Sequence, residues 1–212
     1  MLKKITIPLL SIFLFSACSL KMPSFLSFSD DKNALALEKA NTCQKIEEID
    51  NKLFCYKKIV NDNSYAQLRM GTYSVEKKDY KKAVEYFNQS INNKNYYANL
   101  ALAFLYYKGD GVEKDIDKSF KLLNDASHVD PNAAYQLSRF YLQGINTKVD
   151  VNKGINLLEF AASKNLLVAQ KLLINIYSEG MFSQEKDPKK VKQWEDIIKK
   201  NIRDDNFDIY KL

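Results

Sequence analysis

A repeat constrains this chain more than any other feature. With Ala98 as origin, Leu102, Ala103, Tyr106, Gly109 and Gly111 stand at offsets 4, 5, 8, 11 and 13. From Ala133 the same offsets hold Leu137, Ser138, Tyr141, Gly144 and Asn146, and from Ala169 they hold Leu173, Ile174, Tyr177, Gly180 and Phe182. The period is 35 and then 36 residues. The second half of each unit recurs too, as "DIDKSFKLLNDAS", "DVNKGINLLEFAA" and "DPKKVKQWEDIIK", each opening on an acid: Asp115, Asp150 and Asp187. Upstream, "YAQLRMGTYSVEKKDYKKAVEYFNQSI" keeps Gly71, Ala83 and Phe87 but lacks the glycine loop. Two helical patterns in a unit this short cannot bury their apolar faces alone, and stacking on neighbouring units solves that problem. The period therefore predicts an all-α solenoid of helix-turn-helix repeats, about four of them over residues 63–202, followed by an extension at 203–212.

In the unit that starts at Ala98 the stretch "KGDGVEKDID" (108–117) could be a calcium loop, a phosphate cradle or a turn. Acids at 110, 113, 115 and 117 do not follow the ligand order of a calcium loop. The glycine pair also lacks the later Gly-Lys-Ser or Gly of a nucleotide loop. The turn reading fits: Gly109 falls where a helix C-terminus takes a left-handed residue, and Asp115 stands where it accepts from the free N–H groups of the next helix. Val112 between them is expected to tuck between the two helices. Tyr106, Tyr141 and Tyr177 recur at one helical position, which predicts packing rather than chemistry.

These residues resemble the Sel1-like repeat, whose pattern is an Ala, a Leu-Gly pair, a Tyr, a Gly-x-Gly-Val turn, an Asp and a Lys-Ala helix. Residues 98–131 match it best, the copy at 66–94 is closer to a tetratricopeptide unit, and the resemblance covers about 65–200. It implies a solenoid whose first helices, the A helices, line a concave face where partners bind. By analogy with the tetratricopeptide arrangement, the inward positions are Tyr97, Leu100, Phe104, Tyr107 and Lys108, then Asn132, Tyr135, Arg139, Leu142 and Gln143, then Val168, Lys171, Asn175, Ser178 and Glu179. Tyr97, Phe104, Tyr107, Lys108, Tyr135, Arg139, Lys171 and Asn175 are the candidate partner-binding residues, rich in the aromatic and Arg side chains of binding hot spots.

The N-terminus carries a separate message. Lys3 and Lys4, an apolar run from Ile5 to Phe15 and then "SAC" read as an export signal over 1–17. Ser16 and Ala17 before Cys18 resemble the lipobox of bacterial lipoproteins, although Phe15 stands where Leu is usual. The resemblance implies a lipidated Cys18 and, with Ser19 second, an outer-membrane protein facing the periplasm. Residues 18–32 then read as a tether. In "ALEKANTCQKIEEIDNKLFCYKKIV", two helical patterns with a turn near Asp50 and Asn51 predict a helical hairpin over 33–62. An exported chain with two further cysteines is expected to pair them, so Cys43 and Cys55 should staple that hairpin.

Charge and catalytic inventory narrow the function. The net charge is +6, and cleavage after Ala17 removes two lysines and leaves +4. Basic and acidic residues interleave, as in "KKDYKKAVE", which on a helix is a solvated face and not a nucleic-acid stripe. His128, the single histidine, lies in the inter-repeat "ASHVDP" without a nucleophile motif near it. With no Cys/His cluster, neither a metal nor a cofactor is expected. The sequence thus predicts a non-enzymatic, lipid-anchored envelope scaffold that binds a protein or peptide. The alternative is a cell-wall or β-lactam-ligand binding protein or enzyme, implied by resemblance to cysteine-rich exported Sel1-like proteins. That group carries a cysteine pair in most repeats, whereas residues 65–212 contain none.

Overall fold

The computed structural model describes residues 27–200, 209, 210 and 212. The candidate signal, Cys18 and residues 201–208 lie outside the described residues. Ten α-helices follow one another: α1 (Ser27–Gln44), α2 (Ile49–Ile59), α3 (Ser64–Glu76), α4 (Tyr80–Asn92), α5 (Tyr97–Lys108), α6 (Ile116–Ala126), α7 (Pro131–Gln143), α8 (Val151–Ser163), α9 (Leu167–Glu179) and α10 (Pro188–Lys200). A 3-10 turn at Met181–Ser183 precedes α10, and no strand occurs among the described residues. The fold is the expected all-α solenoid: α1 and α2 form the hairpin, and four A/B pairs stack behind it.

The core is a series rather than a sphere. Ala40, Cys43 and Tyr56 of the hairpin pack on Tyr65, Ala66 and Met70 of α3. Leu68, Ala83, Phe87, Ala98 and Leu102 join α3, α4 and α5. Leu100, Leu123, Leu137 and Tyr141 join α5, α6 and α7, and Leu158, Leu173, Ile176 and Trp194 close the far end. Each cluster touches only its neighbours, which is how a repeat array shares stability among successive interfaces. Where helices approach most closely a side chain is missing: a Cβ on Gly71 would lie 2.4 Å from the Phe87 ring, and one on Gly154 would lie 2.7 Å from Leu142 Cγ.

The glycine stretch is a joint, built as expected. Gly109 is left-handed at φ 84°, which a residue without Cβ adopts at no steric cost, and its N–H donates to Leu105 O at 2.8 Å. The Asp115 carboxylate accepts from Lys118 N at 2.8 Å, and the Asp115 N–H donates back to Tyr106 O at 2.9 Å. Val112 was expected between α5 and α6 but packs on the cluster of α3, α4 and α5, toward the preceding unit. The next two units repeat the geometry with Gly144 and Asp150, then Gly180 and Asp187. At the second glycine position Asn146 and Phe182 take positive φ in place of Gly111.

The recurring tyrosines do more than pack. Lys118 Nζ lies 4.2 Å from the Tyr106 ring centre, Lys153 Nζ 4.5 Å from that of Tyr141 and Lys190 Nζ 4.2 Å from that of Tyr177. The lysine sits three residues after the capping acid, so one turn of the B helix supplies both the cap and a cation for the A-helix ring. Lys190 also donates to the Tyr177 hydroxyl at 3.0 Å, and this bond holds the Lys190 ammonium above the usual lysine range.

The hairpin differs from expectation in where it turns. The chain reverses over residues 45–48, and Asp50 and Asn51 lie in the first turn of α2. Their N–H groups donate to the Glu48 carboxylate at 3.0 and 2.8 Å, so Glu48 caps the helix two residues before the Asp-Asn pair. Helix α1 also starts at Ser27, inside the stretch read as tether. Cys43 and Cys55 form the expected disulfide, with Cα atoms 5.5 Å apart.

Candidate functional site

The accessible groups of the four A helices, α3, α5, α7 and α9, are unevenly distributed. On α5, Phe104 and Tyr107 are each 40% exposed, a large apolar exposure for side chains whose helix is otherwise well packed. Their spacing of three residues puts them on one stripe. Tyr107 meets the Phe140 ring edge-on at 5.9 Å, and Arg139 of α7 stands next to Phe140 in sequence. Phe104, Tyr107, Gln136, Arg139 and Phe140 together line a cleft of about 90 Å³. Arg139 is exposed, steadied by a 3.2 Å bond to Gln136, so its guanidinium remains available on the cleft rim.

A second, larger cleft of about 430 Å³ opens on the other side of Phe104, lined by Thr72, Val75, Leu100, Phe104, Lys108 and Tyr210. Phe104 is therefore a shared wall. Tyr210 comes from the C-terminal extension: its ring stands edge-on to Tyr97 at 6.3 Å, and its hydroxyl donates to the Asp130 carboxylate and, at 3.4 Å, to the Tyr97 carbonyl. Asp130 is fully buried at the N-terminus of α7, where its other oxygen accepts from Asn132 N at 2.9 Å. Burial pushes the Asp130 carboxyl above the usual aspartate range, while the Tyr210 hydroxyl and the α7 N–H groups pull it back. Burial, helped by the Asp130 charge, raises the Tyr97 phenol.

The candidate residues thus separate into groups. Phe104, Tyr107 and Arg139 share one cleft, Phe104 and Lys108 share the other, and Tyr97 is half-buried beneath Tyr210. Tyr135 packs against the rear cluster, and Lys171 and Asn175 are exposed on α9 and line neither cleft. Leu100 and Leu142, at inward positions, are buried. Asp130 and Tyr210 were not anticipated. The "DP" at 130–131 signals a helix start, but nothing local says that its carboxylate is buried or that a tyrosine 80 residues later reaches it.

Sequence reading also missed Arg69. It is fully buried in α3, donating to Asn41 Oδ1 at 2.6 Å and to the Tyr56 hydroxyl at 3.3 Å, and thereby fastens both hairpin helices to the first repeat. His128 follows the end of α6, exposed, with its ring edge-on to Tyr96 at 5.5 Å. Among the described residues no cluster of His, Cys, Asp or Glu could hold a metal, and no helix is long and apolar enough to cross a membrane.

The fold is an α-solenoid of helix pairs whose A helices line two adjoining clefts. The Sel1 repeat model matches residues 64–95, 97–127 and 131–166, so three successive segments of the chain are Sel1 repeats. The fourth pair, α9 and α10, lies beyond the matched segments yet keeps the glycine cap and the capping acid. A Sel1 repeat protein from Oxalobacter formigenes is similar in structure, with a TM-score of 0.68 and 21% identity over 82% of this chain and 74% of that one. A protective antigen of uropathogenic Escherichia coli with an SLR fold gives 0.60 and 18% over 76% of this chain and 37% of that one. These likenesses show the fold. In sequence, 54 residues are 41% identical to the ERAD-associated E3 ubiquitin-protein ligase component HRD3B of Arabidopsis thaliana, and they span only 9% of that protein's length. Sel1 repeat proteins generally mediate protein–protein interaction and are typically non-enzymatic scaffolds.

Proposed function

We propose that this protein is a lipid-anchored scaffold of the bacterial envelope that holds a protein or peptide partner on the face of its A helices. The observation that carries the reading is the pair of clefts sharing Phe104: two exposed aromatics, an available arginine and an adjoining apolar groove on one otherwise packed surface. Aromatic and Arg anchors in partly desolvated pockets supply most of the energy of interfaces. The envelope location rests on the signal read at 1–17 and Cys18 in the sequence, and is supported by the Cys43–Cys55 bond, which suits an oxidising compartment.

The joint substitution Phe104→Ala, Tyr107→Ala and Arg139→Ala tests the surface. Each truncation of an interface anchor typically costs about 2 kcal/mol or more of binding. Crosslinking in intact cells should lose the partner while circular dichroism keeps the wild-type fold, because Leu102, Ala103 and Leu105 still hold α5 in the core. A folded triple variant that still captures the same partner places the binding elsewhere. Cys18→Ala should release the protein from membranes, and a wild type unlabelled by a fatty-acid analogue refutes the anchor.

A further inference from the structure

The groove already holds a segment of chain. Ile209 packs against the clusters around α3 and α5, Tyr210 reaches Asp130 and Tyr97, and Leu212 packs on the hairpin cluster while Lys52 Nζ donates to its carbonyl at 3.5 Å. All three side chains are half-buried, seated on the surface of the repeats rather than within it. The cleft bounded by Tyr210 continues past it along Thr72, Val75, Phe104 and Lys108, so there is more groove than these residues fill.

Asp130 explains why a tyrosine sits there. One carboxylate oxygen is committed to capping α7, and the residue is fully buried, so the other oxygen needs a donor from the groove side. A phenol supplies that donor and also fills the apolar space beside the Tyr97 ring. A phenylalanine would fill the space and leave the carboxylate oxygen unpaired, and sites built to bond a hydroxyl discriminate strongly against ligands lacking it. A phosphorylated tyrosine would set a second negative charge against a buried one.

We propose that the A-helix face carries a tyrosine-reading subsite formed by Asp130 and Tyr97. Its partner is a short segment of the pattern aliphatic, tyrosine, any residue, aliphatic, which replaces the chain's own Ile209, Tyr210 and Leu212. This deepens the partner-binding reading above and rests on it. The chain's own segment, tethered to the groove, has the advantage of effective concentration over any ligand in solution. The incoming segment therefore competes with a built-in occupant of its own chemistry.

The experiment is a fluorescence-anisotropy titration of an end-blocked, fluorescein-labelled peptide Ile-Tyr-Lys-Leu with the full mature chain, its Tyr210→Phe variant and its Tyr210→Ala variant. Affinity should rise in that order, by about tenfold or more from wild type to Tyr210→Ala, because the resident competitor loses its anchor. Peptides with phenylalanine or phosphotyrosine in place of tyrosine should bind at least about tenfold more weakly. Circular dichroism checks the fold, and Tyr210→Phe, which removes only the hydroxyl, carries the test if Tyr210→Ala unfolds. A folded Tyr210 variant that ignores the peptide, or that binds the tyrosine and phenylalanine peptides alike, overturns the subsite. If the subsite fails while the Phe104, Tyr107 and Arg139 triple variant still loses its cellular partner, only this inference falls. A triple variant that keeps its partner removes the wider reading.

Discussion

The two ends of the solenoid are closed by different means. Any repeat array must cover the apolar face that its terminal repeats would leave open. At the front, the hairpin covers α3 with a disulfide, with the buried Arg69 guanidinium bonded to Asn41 and Tyr56, and with Leu212. At the rear, α10 is the last helix described, and it holds its place by Trp194, Val191 and Ile197 against α9 and by Lys190 over Tyr177, with no covalent link. Covalent and polar fastening is concentrated where the hairpin, which lacks the repeat's glycine joint, must dock on the first unit. The rear pair inherits its joint from the repeat and needs only an apolar stripe.

The largest expected effect is at the rear. Trp194→Ala removes the central anchor of α10 and should cost about 3–5 kcal/mol, the usual range for a buried aromatic truncated to Ala. Hydrogen exchange should show α9 and α10 opening while α3 to α7 stay protected. Uniform loss of protection would mean that the ends are not independent and would break the comparison. Second is the front: Cys43→Ala with Cys55→Ala should cost roughly 3 kcal/mol by loop-closure entropy. Urea denaturation should show the loss, with exchange rising first in α1 and α2. Loss first in α10 would contradict the assignment of the staple to the front end.

Between the ends, the joint from Gly109 to Asp115 should be less sensitive, and its two glycines should differ. Gly109→Val places a β-branched residue at φ 84° and should cost about 1 kcal/mol or more. Gly111→Val should cost more, because its Cβ would also stand 2.5 Å from Tyr80 Cβ and 2.8 Å from the Tyr80 backbone carbon. Thermal unfolding of the two variants checks the order, and equal losses would show that Tyr80 yields. The smallest effect is on pH dependence. The folded state binds the Asp130 proton more tightly than the unfolded chain, so this residue's contribution to stability falls as pH rises through the window between the ordinary aspartate value and the raised one. Asp130→Asn keeps an acceptor for the cap and removes that slope. The wild-type minus variant difference in urea stability, measured from about pH 4 to about pH 7, should shift against the wild type with rising pH.

What was legible in the sequence is what repeats or acts locally. The period, the left-handed Gly109 and the Asp115 cap could be read because each depends on residues within a turn or two, and the same solution recurs in later units. The hairpin turn was misplaced because Asp50 and Asn51 carry typical turn chemistry, yet Glu48, a less usual cap, took the role. The burial of Arg69, the pairing of Asp130 with Tyr210 and the half-burial of Tyr97 join residues 13 to 113 positions apart. No period marks them, so no window of sequence could announce them. The inward strip was read by analogy and proves uneven: Phe104, Tyr107 and Arg139 gather, whereas Lys171 and Asn175 stand exposed on α9 outside both clefts.

The segment from Ile209 to Leu212 also works as a ruler. It touches the hairpin at Lys52 and the third pair at Asp130, with the first two repeats' A helices between them. An extended chain covers at most about 3.6 Å per residue, so the step from Tyr210 to Leu212 spans no more than about 7 Å. One further A helix stacked into the array would push its supports apart by roughly 8–10 Å, the usual spacing of packed helices. The joints themselves would accept such an insertion, since each closes inside its own unit. A copy inserted between the hairpin and α7 would leave Lys52 and Asp130 too far apart for this segment to touch both. The groove at the front of the array is therefore gauged to a fixed number of repeats.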